Sequence, residues 1–232
     1  VRYWPIVSGK VLWLDRKLEG MKRFFSGIAK LYSIFAQLFC SLKQLKTQIF
    51  QGVMRNINLV EVKSELAAGT RGASLGIDAL KIASLDKASN FFTEFEPIHV
   101  QDANSYLWRG NNFPHAKYID GVYEVLKNVY NTIESLRLKK IFPIVLAGDH
   151  STAAGTIMGI KAADPEKRLG VIWIDAHADL HTPYTTPSGN MHGMPLAMCI
   201  QTDNLEAKVN DPSPETLLYW EKIKKIGGEA RK

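Results

Sequence analysis

The sequence predicts an α/β fold, a parallel sheet covered by helices on both faces. Two observations carry that expectation. Strand-like apolar runs alternate with helix-like stretches along the chain, which is the pattern of crossover units rather than hairpins. Two of the runs, residues 142–147 and 169–174, are almost continuously apolar, as strands buried on both faces must be. Taken in order, residues 57–62 form the first strand. Gly69 to Gly76 is glycine-rich without the spacing of a phosphate loop, and it suits a tight chain reversal near the mouth of a site. Residues 74–84 are helix-like, and residues 98–100 make a short strand ending at Gln101-Asp102. Ile119, Val122, Leu126, Val129, Ile133 and Leu136 recur at helical spacing, so residues 117–138 form an amphipathic helix. Tyr118, Tyr123 and Tyr130 on that helix read as packing residues. Strand 142–147 leads into Gly148-Asp149-His150-Ser151, with Ser151 as the N-cap of a helix over residues 152–163. Strand 169–174 follows, and beyond residue 198 a loop enters a helix around residues 214–226.

The chemistry sits behind the last two strands. Asp175-Ala176-His177-Ala178-Asp179 directly follows the 169–174 run. In open α/β sheets, the carboxyl edge is where ligands bind. At period two, Asp175, His177 and Asp179 point the same way. Two carboxylates and an imidazole on one spot repel one another unless a cation is present, and they suit manganese better than a thiolate-seeking metal. A solvated acidic loop is the competing reading, but such loops seldom sit directly behind a buried strand. His150 brings another imidazole to the same edge. Four of the six histidines, His150, His177, His181 and His192, fall between residues 150 and 192.

Gly148-Asp149-His150-Ser151, Asp175-Ala176-His177-Ala178-Asp179 and Ser188-Gly189-Asn190-Met191-His192-Gly193, in this order, resemble the ureohydrolase family and the arginases in particular. Gly69-Thr70-Arg71-Gly72-Ala73-Ser74-Leu75-Gly76 also looks like the arginase N-terminal region. The resemblance implies the three-layer arginase/deacetylase-like fold, incomplete at its C-terminal end, and manganese-dependent hydrolysis of L-arginine to L-ornithine and urea. The physical need for metal is plain. A guanidinium carbon is a poor electrophile and neutral water a poor nucleophile, and a bound metal lowers the pKa of water. By resemblance two manganese ions bind. His150, Asp175 and Asp179 hold the first, and His177 holds the second, with Asp175 bridging. His192 is the catalytic proton shuttle, a role that suits an imidazole. Ser188 and Asn190 bind the substrate carboxylate. The Thr185-Thr186-Pro187-Ser188-Gly189-Asn190 loop favours arginase over agmatinase, because agmatine has no carboxylate to hold.

His181 departs from the pattern, since most arginases carry asparagine there. A histidine can also donate to the carboxylate; the other reading is a loop histidine with no ligand. The family's later Asp-x-Asp pair and guanidinium-binding glutamate find no counterpart after residue 200. The expectation is therefore a truncated arginase with about half of its binuclear site. Two alternatives stay open: a non-catalytic arginase-like protein with a partial metal site, and a ureohydrolase for another guanidino compound such as agmatine. The resemblance also implies a homo-oligomer, a trimer or hexamer.

Composition bounds the rest. Apolar residues at 46% and charged residues at 22% place the chain among soluble globular proteins. Cys40 and Cys199 offer neither a disulfide framework nor zinc spacing, and they fit a reducing cytoplasm. The net charge of +6 comes from residues 1–53, which hold nine of the 29 Lys/Arg and only two of the 23 Asp/Glu. The remainder is near neutral, so no basic field for nucleic acid is expected. Residues 1–53 stand outside the family pattern as a basic extension, and residues 54–232 are read as the N-terminal part of an arginase-like catalytic domain. The chain opens on Val1, and Met54 is a candidate start. The apolar run after Met21-Lys22-Arg23 leaves three readings: a spurious upstream extension, which is preferred, a membrane-surface helix over residues 21–40, and a targeting peptide.

Overall fold

The computed structural model describes residues 56–226. Readings that concern residues 1–53, Cys40 among them, lie outside these. Strands β1 (Ile57–Val62), β2 (Ile98–His99) and β3 (Phe142–Ala147) form one sheet in the order β2-β1-β3, with every pairing parallel. Because all strands run the same way, their C-terminal ends share one edge. β1 and β3 pair from Ile57 opposite Phe142 to Val62 opposite Ala147. The helices are α1 (Gly76–Asp86), α2 (Phe91–Glu94), α3 (Ile119–Leu138), α4 (Thr152–Ala162), α5 (Pro195–Ile200) and α6 (Pro214–Lys224). Among the described residues, no helix is long and apolar enough to cross a membrane.

Strand alternation decides which helices cover which face. Val60 and Val62 join the main core with Leu126, Val129 and Ile133 of α3 and Ala154 and Met158 of α4. Glu61 and Lys63 point the opposite way and meet α1. Lys81 is 2.6 Å from Glu61, and Lys63 is 2.7 Å from Asp78. The sheet is thus flanked by helices on both faces, as expected. Glu61 is fully buried, and such a carboxylate is tolerable only with cations facing it. The predicted apolar row of α3 is the buried row. Each such side chain contributes about 1.5–3 kcal/mol on burial. Tyr118, Tyr123 and Tyr130 pack against the same core, as read from the sequence. Ser213 caps α6 by accepting the Thr216 N–H at 3.2 Å, and Pro214 opens the helix. Trp220 and Lys224 of α6 both donate to Asp203, at 2.8 and 2.6 Å.

Two local expectations are corrected. Residues 169–174 form no strand, and Ile172 and Ile174 are 89% and 95% exposed. An apolar run becomes a strand only where a neighbour takes up its backbone groups and a layer covers its side chains. Among the described residues no strand pairs with this run. Ser151 stands at the N-cap of α4 as expected, but it is helical in backbone and its side chain accepts no N–H there. Its N–H and hydroxyl turn back to Asp149 instead.

Candidate metal centre

The site is built on the C-terminal edge of the sheet. Gly148 follows β3 so closely against β1's exit that a Cβ would fall 2.3 Å from the Ser64 carbonyl oxygen. Only glycine fits there. Asp149 is buried. Its carboxylate accepts the Ser64 hydroxyl at 2.9 Å, the Ser151 N–H at 3.0 Å and the Ser151 hydroxyl. Burial pushes the Asp149 carboxyl up in spite of these bonds. The network ties the exit loops of β1 and β3 together and leaves the His150 ring projecting from the edge.

Around that ring the ligand set closes. The imidazole stacks on Trp173, with centroids 4.8 Å apart and planes 6° from parallel. His150 Nδ1 is 3.1 Å from Asp175 Oδ2 and 3.2 Å from Asp179 Oδ2. One ring nitrogen carries at most one proton, so it cannot donate to both carboxylates at once. One ligand atom from each of His150, Asp175 and Asp179 lies within 4.8 Å of the others. Neighbouring ligand atoms roughly 3 Å apart are what a cation with ~2.1 Å bonds places at right angles. Asp179 Oδ2 is buried and accepts no hydrogen bond. Burial and the nearby Asp175 charge push the Asp179 carboxyl up, against the pull of His150 and the more distant His177 and His192. The Asp175 carboxyl is pulled below its ordinary value, first by the His177 N–H at 2.8 Å and then by the His150 charge. A buried oxygen without a donor, between an imidazole and a second carboxylate, is an arrangement that a divalent cation completes.

The expected common direction of Asp175, His177 and Asp179 does not hold for His177. No strand forms here to impose alternation: residues 175–177 make a bend, and Asp179 adopts a left-handed φ of 50°. Asp175 and Asp179 therefore meet His150, while the exposed His177 ring leans on the other oxygen of Asp175 at 3.2 Å. The backbone of Asp179 is fixed from an unforeseen quarter. Its carbonyl accepts the N–H groups of Leu196 and Ala197, at 3.1 and 3.4 Å, which are otherwise unsatisfied first-turn donors of α5.

The third segment packs beside this cluster. Thr185 Oγ1 accepts the Thr182 N–H at 2.9 Å and lies 3.3 Å from His181 Nδ1. The His181 N–H reaches the Gly193 carbonyl at 3.1 Å. Thr186 Oγ1 accepts the Gly189 N–H at 2.9 Å, and Ser188 Oγ accepts the Asn190 N–H at 3.2 Å. The His192 N–H bonds to the Ala67 carbonyl at 3.3 Å, so the Gly69 loop lies against Asn190 and His192. That agrees with the reading of the glycine-rich stretch as a turn at the mouth of the site. Sequence reasoning passed over Ser64 and Asp149. Asp149 stood inside a motif already noticed, but Ser64 carries no local signal, because its partner is 85 positions away.

Comparison with known proteins returns a consistent family. A family model described as the Arginase family matches residues 55–211. The arginase of Brevibacillus brevis is 39% identical over 147 residues, covering 62% of this chain and 47% of its own length. That of Bacillus subtilis is 32% identical over 170 residues, covering 71% and 56%. Entamoeba histolytica arginase, solved with L-ornithine, superposes with a TM-score of 0.54 at 27% identity, over 62% of this chain and 50% of that one. Bacillus cereus arginase gives 0.51 at 32% identity, over 64% and 48%. The chain spans about half the length of the curated relatives it matches.

Proposed function

This chain belongs to the arginase family, and from that premise we propose that it serves manganese-dependent hydrolysis of L-arginine to L-ornithine and urea. The observation that carries the reading is the ligand set of His150, Asp175 and Asp179, with the Asp179 oxygen that no donor satisfies. In this reading those three residues would hold one ion, and His177, beside Asp175, would help hold a second. Manganese, when bound, supplies an activated water and a Lewis acid. The protein's own groups do the rest. Ser188, Asn190 and His181 offer donors to the α-carboxylate, which fixes the guanidinium end relative to the ligand set. The exposed ring of His192 is free to hand a proton to the leaving amine. The division at residue 54 is supported by the family match beginning at residue 55. A cytoplasmic homo-oligomer, trimer or hexamer, completes the proposal on the family resemblance alone.

The test uses the protein expressed from its complete reading frame, stripped of metal and reloaded with manganese. Urea release from L-arginine is expected, with manganese retained after dialysis. Asp175→Ala and His177→Ala are each expected to lower activity by about 100-fold or more. Activity that survives both changes would sink the ligand assignment. A preference for agmatine over arginine would move the protein to another ureohydrolase specificity.

A further inference from the structure

Lys117 lies in the turn before α3, 73 positions from the side chain it holds. Its Nζ donates to Asn190 Oδ1 at 3.1 Å, and its N–H donates to the Gly189 carbonyl at 2.8 Å. Gly189, at φ 73°, sits so tightly against the same turn that a Cβ would fall 1.9 Å from the Pro114 carbonyl oxygen. Residues 114–117 thus grip the 189–190 backbone and the Asn190 side chain together.

The side-chain bond settles which way Asn190 faces. A carboxamide has an acceptor on one side and a donor on the other, and an ammonium can only donate. Lys117 therefore takes up Oδ1 and turns Nδ2 the other way, toward Gly69. Room exists there because residue 69 has no side chain; a Cβ would come within 2.9 Å of Nδ2 and 3.9 Å of His192 Cε1. Among the described residues no carboxylate forms an ion pair with Lys117. An uncompensated cation beside an amide held donor-side out is an arrangement for an anionic group.

We propose that Lys117 is a positioning residue for the carboxylate of the substrate. It holds Asn190 in its donor orientation and adds the positive charge that favours a carboxylate-bearing guanidino compound over one without. This rests on the reading of Ser188 and Asn190 as carboxylate-binding residues given under the proposed function. The test compares Lys117→Met, Lys117→Gln and Lys117→Arg in the manganese-loaded full-length protein, with L-arginine and agmatine as substrates. Lys117→Met is expected to raise KM for arginine about tenfold, with a smaller change in kcat. The preference for arginine over agmatine falls by a similar factor. Arginine at the position restores most of the loss, and glutamine, which can donate but carries no charge, falls between. A purely structural role would move thermal stability and kcat together and ignore the substrate's carboxylate. Equal KM increases for both substrates, or an unchanged arginine KM, would overturn the role of Lys117 while leaving arginine hydrolysis in place. No urea from the unsubstituted protein would overturn the functional reading and this inference with it. If the methionine variant does not fold, the glutamine variant carries the same comparison.

Discussion

Phe142–Ala147 and residues 169–174 look alike in sequence and are built differently. Each is a six-residue apolar run followed within three residues by candidate metal-ligating side chains. The first pairs with β1 along its whole length, and the loop behind it is locked by the buried Asp149. The second is unpaired among the described residues and exposes Ile172 and Ile174. Its ligands are positioned from downstream, through the α5 N–H groups on the Asp179 carbonyl, and from within, through the His177 N–H on Asp175. A strand is a relation between neighbours, whereas a ligand position needs only a few well-placed hydrogen bonds.

The sharpest way to break this contrast is a pair of glycine substitutions. Gly148→Ala forces a Cβ against the Ser64 carbonyl and is expected to destabilise the chain by about 2–4 kcal/mol. Gly170→Ala meets nothing within 4 Å, and urea denaturation should place it within about 0.5 kcal/mol of the parent. Equal effects would mean that the two runs are packed alike.

A smaller effect is expected at the exit of β1. Glu65 accepts the Gly72 N–H at 2.9 Å, the Ser74 N–H at 3.1 Å and the Ser74 hydroxyl at 3.0 Å. Burial works against its charge, but these bonds and the nearby Arg71 outweigh it and hold the carboxyl below its ordinary value. Glu65→Gln is expected to cost about 1–2 kcal/mol at neutral pH. A carboxyl lowered in the folded state contributes stability above the unfolded value and loses it as pH falls through the folded one. The gap between parent and variant therefore closes in acid, and melting curves from neutral pH downward would show it. A gap of constant size would remove the locked exit loop from the ordered side of the comparison.

The smallest effect sharpens the other side. Ile172→Lys, at a position 89% exposed, is expected to change the stability of the 232-residue chain by less than about 0.5 kcal/mol. A fall in melting temperature of many degrees would mean that this run is covered after all.

Much of this was legible in the sequence. The bounds of β1 and β3 match the apolar runs residue for residue, and the α3 core row follows its periodicity. His150, Asp175 and Asp179 converge as expected, although only His150 follows a strand. What escaped has physical reasons. α5 is six residues long, too short to display a period. The bend at residues 175–177 and the left-handed Asp179 have no marker in residue type strong enough to read. Ser64 and Lys117 act across 85 and 73 positions, and local pattern carries no trace of such partners.

That span has a consequence in time. The bond between Ser64 and Asp149, like the parallel pairing of β1 with β3, closes a loop of some 85 residues. Loop closure of this length costs entropy before any contact offsets it, which makes such pairings slow. The β1–β3 pairing is therefore expected to set the pace of refolding, and a cation that needs the assembled site would bind only after it. An ion that binds only the finished socket leaves the rate of folding alone and slows the rate of unfolding.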